Sequence, residues 1–410
     1  MKKINAIFKI YHGLPKEIYV VAISRFINST GLFIFPMLTL LLTKKIGLSE
    51  AETGFWIALS GIISIPVSII GGKLTDIIGR KKLIIYPNII ATILFTFCGF
   101  IEPSMLMVYL IFSGGTILHS SRPAFDSLIA DLTTPKNRNA SFSLSYLGNN
   151  LGFAIGPFIG GLLFNNHLRL FFLLDAFTTL LSTIIITIFI KETLFKTEEI
   201  IEEGLEKSVK GSAIKVLLKR PVLLIFAILS LGYHFTYSQW SFLMPMHLES
   251  LFTNEGAKLF GMLASFNGII VIIFTPIITS LFSKLNNLRN AVIGGLLYTI
   301  GFGLLGFFET KSSFVLSAFI FTLGEIILVI SVMPFIANHT PASHRGRINS
   351  LLSVIMGAGY FLGPIIVGNL LKTISYTSAW KFVSIIVLIS SIGMYILQIF
   401  EKTMLHNQKE

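Results

Sequence analysis

Apolar residues in this chain run in long blocks, and polar residues gather between the blocks rather than alternating with them. At 1.5 Å of rise per residue, about 20 apolar residues carry a helix across the hydrocarbon core of a bilayer. Windows of that length predict twelve spans, at 17–42, 52–72, 83–101, 105–130, 141–165, 170–190, 221–248, 257–282, 290–308, 313–338, 347–371 and 377–400. Most connections are short, which predicts antiparallel neighbours. The exception is 191–220, with Lys191 and Glu192, an acidic run at Glu198, Glu199, Glu202 and Glu203, and a basic end at Lys215, Lys219 and Arg220. It reads as a solvated linker between a six-helix half at residues 1–190 and another at 221–410. The expected fold class is an all-α membrane protein of twelve transmembrane helices in two six-helix repeats.

The halves share a pattern. Arg138, Gly152, Gly156, Pro157 and Gly161 recur 207 positions later as Arg345, Gly359, Gly363, Pro364 and Gly368, and Pro36-Met37 recurs as Pro245-Met246. A tandem repeat of six helices is a transporter architecture, with a substrate site expected between the repeats near the midplane.

Composition narrows the class. The chain has 410 residues, 53% hydrophobic and only 13% charged, where soluble domains carry about 25% charged residues. The single cysteine, Cys98, lies inside an apolar run and excludes an intrachain disulfide. A net charge of +12 would suggest nucleic acid in a soluble protein, but its placement gives another reason. With the N-terminus inside, 23 of the 32 Lys and Arg fall in inner segments and seven in outer loops. That asymmetry puts both termini in the cytoplasm of a multi-pass plasma-membrane protein. The charge is topological, and no nucleic-acid partner is expected. The first apolar stretch is long enough to span and lacks a small-residue cleavage pattern, so no cleavable signal is expected.

Between the second and third spans, residues 72–82 read Gly-Lys-Leu-Thr-Asp-Ile-Ile-Gly-Arg-Lys-Lys. Gly72 and Gly79 offer backbone freedom for a tight reversal, and Asp76 and Arg80, four apart, can face one another on a helical turn. The full spacing G-x-L-x-D-x-x-G-R-K resembles the loop 2–3 signature of the major facilitator superfamily. That resemblance implies the twelve-helix fold above and makes Asp131, at the end of the fourth span, the acid that pairs with Arg80. Together with Asp76 these charges would form a conformational latch at the cytoplasmic rim, where rim charges contribute little to stability.

Ionisable residues inside a span cost a few kcal/mol each and usually face the bundle interior. Away from the span ends they include Arg25 in the first span, Arg122 and Asp126 in the fourth, His234 in the seventh and Glu325 in the tenth. Asp175, about five residues into the sixth span, reads as interfacial. The four spans are the first of each successive triplet, and in the resembled fold those four line the central cavity. Arg25, Asn28, His234, Gln239, Trp240 and Glu325 form the expected cavity set. The aromatic stretch around His234 offers stacking or cation–π contact to a flat or cationic ligand; packing is its alternative role. Arg122 and Asp126 share a helix face and would otherwise simply pair to pin helices together.

Glu325 lies thirteen residues into its span, about 18 Å along the axis and so near the midplane. A low-dielectric setting penalises a charged carboxylate, which suits this group to load and release a proton. The surrounding Thr322-Leu323-Gly324-Glu325 resembles the tenth-helix motif of some Gram-positive multidrug transporters, where the acid serves the cavity or proton coupling. In the fifth span, Gly152, Gly156, Pro157, Gly160 and Gly161 have small-residue spacing for close helix approach and a proline for a kink. The stretch also resembles the superfamily motif associated with antiporters, and close packing between the halves is expected of it. Arg122 matches the family's buried arginine, although Phe125 and Asp126 replace the usual glutamine and glycine. Ser145 takes the place of an embedded acid found in some relatives.

The resemblance covers nearly the whole chain and implies a drug:proton antiporter that exports small amphipathic compounds by alternating access. The proton is the coupling ion, no other cofactor is expected, and the partners are a small-molecule substrate and the lipid bilayer around a monomer. Proton-coupled uptake, or export of one metabolite, by the same fold is the nearest alternative. An enzyme is not expected, since no H-E-x-x-H, G-x-S-x-G or Walker loop occurs. A sensor or scaffold would need a large extra domain, against which the short C-terminal tail argues.

Overall fold

The computed structural model describes residues 11–134, 137–194, 217, 220–282, 285–339 and 345–407. Most of the expected linker, including its acidic run, lies outside the described residues. Among the described residues every regular element is helical. The first span is α1 (Lys16–Thr30) and α2 (Ile34–Leu40), the latter continued by a π-helical turn to Ile46. The second to fourth are α3 (Glu50–Ile78), α4 (Arg80–Cys98) and α5 (Met105–Asp131). The fifth is α6 (Arg138–Phe153) with α7 (Gly156–Phe164), and the sixth is α8 (Leu168–Phe189). The seventh is α9 (Pro221–Ser241) with α10 (Leu243–Leu251). The remaining five are α11 (Gly256–Phe282), α12 (Asn287–Leu304), α13 (Lys311–His339), α14 (Arg345–Leu370) and α15 (Tyr376–Asn407). Ten of the twelve spans are long and apolar enough to cross a membrane. The other two are α5, which carries His119, Arg122 and Asp126, and α12, which opens on Asn287, Arg289 and Asn290.

Two compact units form: one from Met1–Leu48, Leu59–Glu203 and Phe252–Gly268, the other from Ser49–Ala58, Gly204–Leu251 and Ile269–Glu410. In the first, Ile18 and Val21 of α1, Ile84 of α4, Leu128 of α5 and Ile186 of α8 share one apolar cluster. The same glycine device recurs in each unit. A Cβ added to Gly152 would lie 2.4 Å from the Phe26 carbonyl oxygen of α1, and one added to Gly359 would lie 2.0 Å from the Leu231 oxygen of α9. Neither separation admits a side chain, so α6 on α1 and α14 on α9 pack backbone to backbone, as a tandem repeat requires.

The first span of each repeat is broken, and proline explains where. Pro36 and Pro245 are each third in the downstream piece, and neither can donate to the carbonyl four residues back. In the first repeat the opened turn leaves backbone N–H groups that a bilayer interior must not strand. Asp175 of α8 supplies the acceptor: its Oδ2 takes the N–H of Phe33 at 3.0 Å and of Ile34 at 3.1 Å. Asp175 is buried within the protein, with 3% of its surface exposed.

The reversal between the second and third spans is tighter than the sequence suggests. α3 stays helical through Ile78, and the chain turns on Gly79 alone, at φ +106°. Gly72 lies inside α3, where a Cβ would meet nothing closer than Pro123 at 3.9 Å. It is not a turn residue.

Candidate functional site

Three groups of the expected site residues are brought together, two in the first unit and one in the second. Around Gly79, Arg80 opens α4 with its side chain folded inward. Its Nε donates to Asp131 Oδ2 at 2.9 Å, its Nη1 donates to the Thr75 carbonyl at 3.1 Å, and its Nη2 lies 3.3 Å from Asp76 Oδ1. The two acids differ in setting: Asp131 is 12% exposed and Asp76 72%. Arg80 itself is only 9% exposed, so it is a buried cation and not a rim charge. Two partners were not singled out from sequence. Glu192 accepts the Arg80 backbone N–H at 2.9 Å, and Thr193 Oγ1 donates to Asp131 at 2.8 Å. A side chain on Gly79 would collide with that Glu192 carboxylate, 2.3 Å from its Cβ. The signal for both residues was their place just beyond the sixth apolar block.

Also in the first unit, Arg25 pairs with Asp126 at 3.5 Å and lies over the Phe125 ring at 4.9 Å. Arg122 is exposed, within electrostatic reach of Arg25 and of His119. Asn28 donates to Thr179 at 3.2 Å, and a turn earlier Ser24 meets Ser182 at 2.8 Å, so one face of α1 is joined to α8 by polar contacts. The glycine stretch packs on two elements. Gly152 and Gly156 abut the α1 backbone and Gly160 meets Phe33, while Gly161 faces the Ala257 carbonyl of α11, within the same unit. Pro157 sits in the first turn of α7, just after the break between α6 and α7.

In the second unit Glu325 of α13 accepts the Tyr237 hydroxyl at 2.9 Å. The Tyr237 ring stacks with Tyr298 of α12, centroids 6.2 Å apart. A carboxyl that accepts a phenol hydroxyl can hold a proton or face a cation. His234 Nδ1 bonds the Ser230 carbonyl of its own helix at 2.9 Å, and a carbonyl can only accept, so Nδ1 carries the proton. Gln239 and Trp240 are buried. Gln239 is 0% exposed, its Nε2 turned back to Phe235 O and Ser238 Oγ, and Trp240 packs on Phe321 with centroids 4.8 Å apart. Close approach of Gly363 closes that face. Tyr298 carried no sequence signal beyond being aromatic.

The chain matches the family described as Major Facilitator Superfamily over residues 21–364 and 261–402. It is 24% identical to the Na(+), Li(+), K(+)/H(+) antiporter of Planococcus maritimus, over 93% of this chain and 96% of that protein. Against the quinolone resistance protein NorA of Staphylococcus aureus (strain COL) identity is 25%, over 87% of this chain and 90% of that protein. A crystal structure of the peptide transporter POT in complex with sulfate superposes with a TM-score of 0.75 at 17% identity, covering 94% of this chain and 95% of that one. At such identity the likeness speaks for the fold.

Proposed function

The chain belongs to the Major Facilitator Superfamily and is a membrane transporter, not an enzyme; on that premise we propose that it exports small amphipathic compounds in exchange for protons. Glu325 is the coupling group in this reading, and the observation that carries it is the Tyr237–Glu325 hydrogen bond. A phenol donor stabilises the charged carboxylate without supplying a fixed cation, so the acid can hold either protonation state as its surroundings hydrate and dehydrate. Arg25 with Asp126, and Arg122 beside them, form the polar counterpart in the first unit. The Asp76–Arg80–Asp131 cluster acts as the latch. Residues 1–190 and 221–410 are the two halves, joined by 191–220, in a monomer of the plasma membrane with both termini cytoplasmic. The antiporter and quinolone-resistance relatives support this reading.

Energetics permit it. A proton entering down 100 mV releases about 2.3 kcal/mol, and each pH unit adds about 1.4 kcal/mol. One proton can therefore drive an uncharged compound outward several hundred-fold. Glu325→Gln keeps the shape and the hydrogen bond while removing titration. In vesicles it should still bind and exchange substrate but lose gradient-driven export; undiminished uphill export would overturn the assignment.

A second reading, exchange of alkali cations for protons, draws on the Planococcus maritimus relative. Dissipation of a preset pH gradient on adding Na⁺ or K⁺, with none on adding amphipathic compounds, would favour it over the first.

A further inference from the structure

His247 sits in α10, beyond the break in the seventh span, and is 1% exposed. Its hydrogen bonds define its chemistry. Trp380 of α15 donates its Nε1–H to His247 Nδ1 at 3.0 Å. An indole nitrogen can only donate, so Nδ1 carries a lone pair and the ring proton is on Nε2. That nitrogen lies 3.2 Å from Glu309 Oε1 and donates to it. Tyr376 stacks face to face on the imidazole, centroids 5.2 Å apart and planes 13° apart, and its hydroxyl reaches Glu50 Oε1 at 3.4 Å. Phe314 of α13 meets the ring edge-on. Glu309 is the charged group facing the imidazole. Glu50 reaches it only through Tyr376, and the Lys381 ammonium, next to Trp380, lies over Phe307 instead. Along the chain, Glu249 lies two residues from His247 and Lys311 two from Glu309.

Adding a proton changes this arrangement in a defined way. Imidazolium has N–H on both nitrogens, so Nδ1 can no longer accept and the two N–H groups would point at one another. The Trp380 bond breaks. Two other contacts gain: the Glu309 bond becomes an ion pair, and the Tyr376 face becomes a cation–π partner. Trp380 is 0% exposed and stacks on Phe302 at 5.7 Å, and Phe302 meets Tyr298 at 5.5 Å. Tyr298 in turn stacks on Tyr237, the donor to Glu325.

We propose that His247 is a second proton-binding site, linked to Glu325 through the ring series Trp380–Phe302–Tyr298–Tyr237. Proton uptake at His247 frees Trp380 from α10, and movement of its indole repacks the rings that hold the Glu325 donor. The link to Glu325, though not the site itself, rests on the transport reading above.

The chain has three Trp, so Trp56→Phe with Trp240→Phe leaves Trp380 as the only tryptophan, excited selectively at the red edge of its absorption. In purified protein in nanodiscs, its emission should show one transition between about pH 8 and pH 5, the range in which histidine changes charge. The transition should vanish in His247→Asn, whose amide oxygen replaces Nδ1 as a non-titrating acceptor, and in His247→Gln, which replaces Nε2. Its midpoint should move in Glu325→Gln. Flat emission in the folded parent, or a transition that survives both His247 variants, would overturn the site. A transition lost with His247 but unmoved by Glu325→Gln would overturn the link. These outcomes are separate from uphill export, which tests the transport reading by itself.

Discussion

Arg80 and its two acids allow a prediction with a worked magnitude. The three charges look alike in sequence but differ in exposure, with Arg80 at 9%, Asp131 at 12% and Asp76 at 72%. Asp76→Asn removes the exposed half of the cluster, where an ion pair is worth about 0–1 kcal/mol. Arg80→Ala strips the buried half and leaves Asp131 with the Thr193 hydroxyl as its remaining donor. Breaking a buried pair from one side costs about 3–5 kcal/mol. The loss of the bond to Thr75 O adds to that cost. Arg80→Ala should therefore be the more destabilising by several kcal/mol, and Asp131→Asn in the same chain should restore about 0.5–3 kcal/mol as the stranded charge goes. Denaturant unfolding in micelles, followed by circular dichroism, reads all four proteins. Transport by Asp76→Asn at matched expression then tests the latch without a folding defect, and slowed turnover is expected. Equal stability of Arg80→Ala and Asp76→Asn would refute the assignment of Arg80 to the interior.

Gly156→Leu places a Cβ 2.7 Å from Ser29 O and 3.0 Å from Thr30 O, so α6–α7 must part from α1; transport should be abolished, and size-exclusion profiles should show less monodisperse protein. Gly79→Ala forces an L residue to φ +106° against the Glu192 carboxylate. It should cost about 1–2 kcal/mol or more, and Glu192→Ala in the same chain should restore the part due to the collision, as read by thermal unfolding. Asp175→Asn keeps one acceptor for the span break but loses its charge, for about 1–2 kcal/mol, whereas Asp175→Leu strands the Ile34 N–H at about 1–3 kcal/mol and leaves Phe33 N–H with the Gly31 carbonyl alone. Hydrogen exchange at Phe33 and Ile34 should rise in the same order.

Twelve helices could be read from the sequence because lipid demands long apolar runs, and most of their ends fall within a few residues of the predicted ones. Charge carried the rest only part of the way. The spacing of Asp76 and Arg80, and the family resemblance for Asp131, foretold their meeting, but their setting also involves Glu192 and Thr193, which lie beyond the last apolar block of the first half. Pro36 and Pro245 were visible as a repeat, yet the breaks they cause were not, since a proline inside a span is also compatible with a continuous kinked helix, as Pro66 in α3 demonstrates. The role of Asp175 was not legible because its partners are backbone N–H groups 141 and 142 residues away, which no side-chain pattern reveals. Gln239 and Trp240 were conspicuous in their span as polar and aromatic side chains, whereas Gly363, which closes on Gln239, was not.

The joint in the first span has a bearing on how the protein is made. Residue 34 leaves the ribosome 141 residues before residue 175, a wait of about 7–28 s at ordinary rates of synthesis. Through that interval the first span has no carboxylate to seal its opened turn, and the Ile34 N–H there needs water or the insertion machinery as a temporary partner, while Phe33 N–H keeps the Gly31 carbonyl. The sixth span brings the seal. Completion of the first repeat is thus timed by the arrival of its last helix, and a chain truncated before α8 should remain accessible to water-borne probes at residues 31–33.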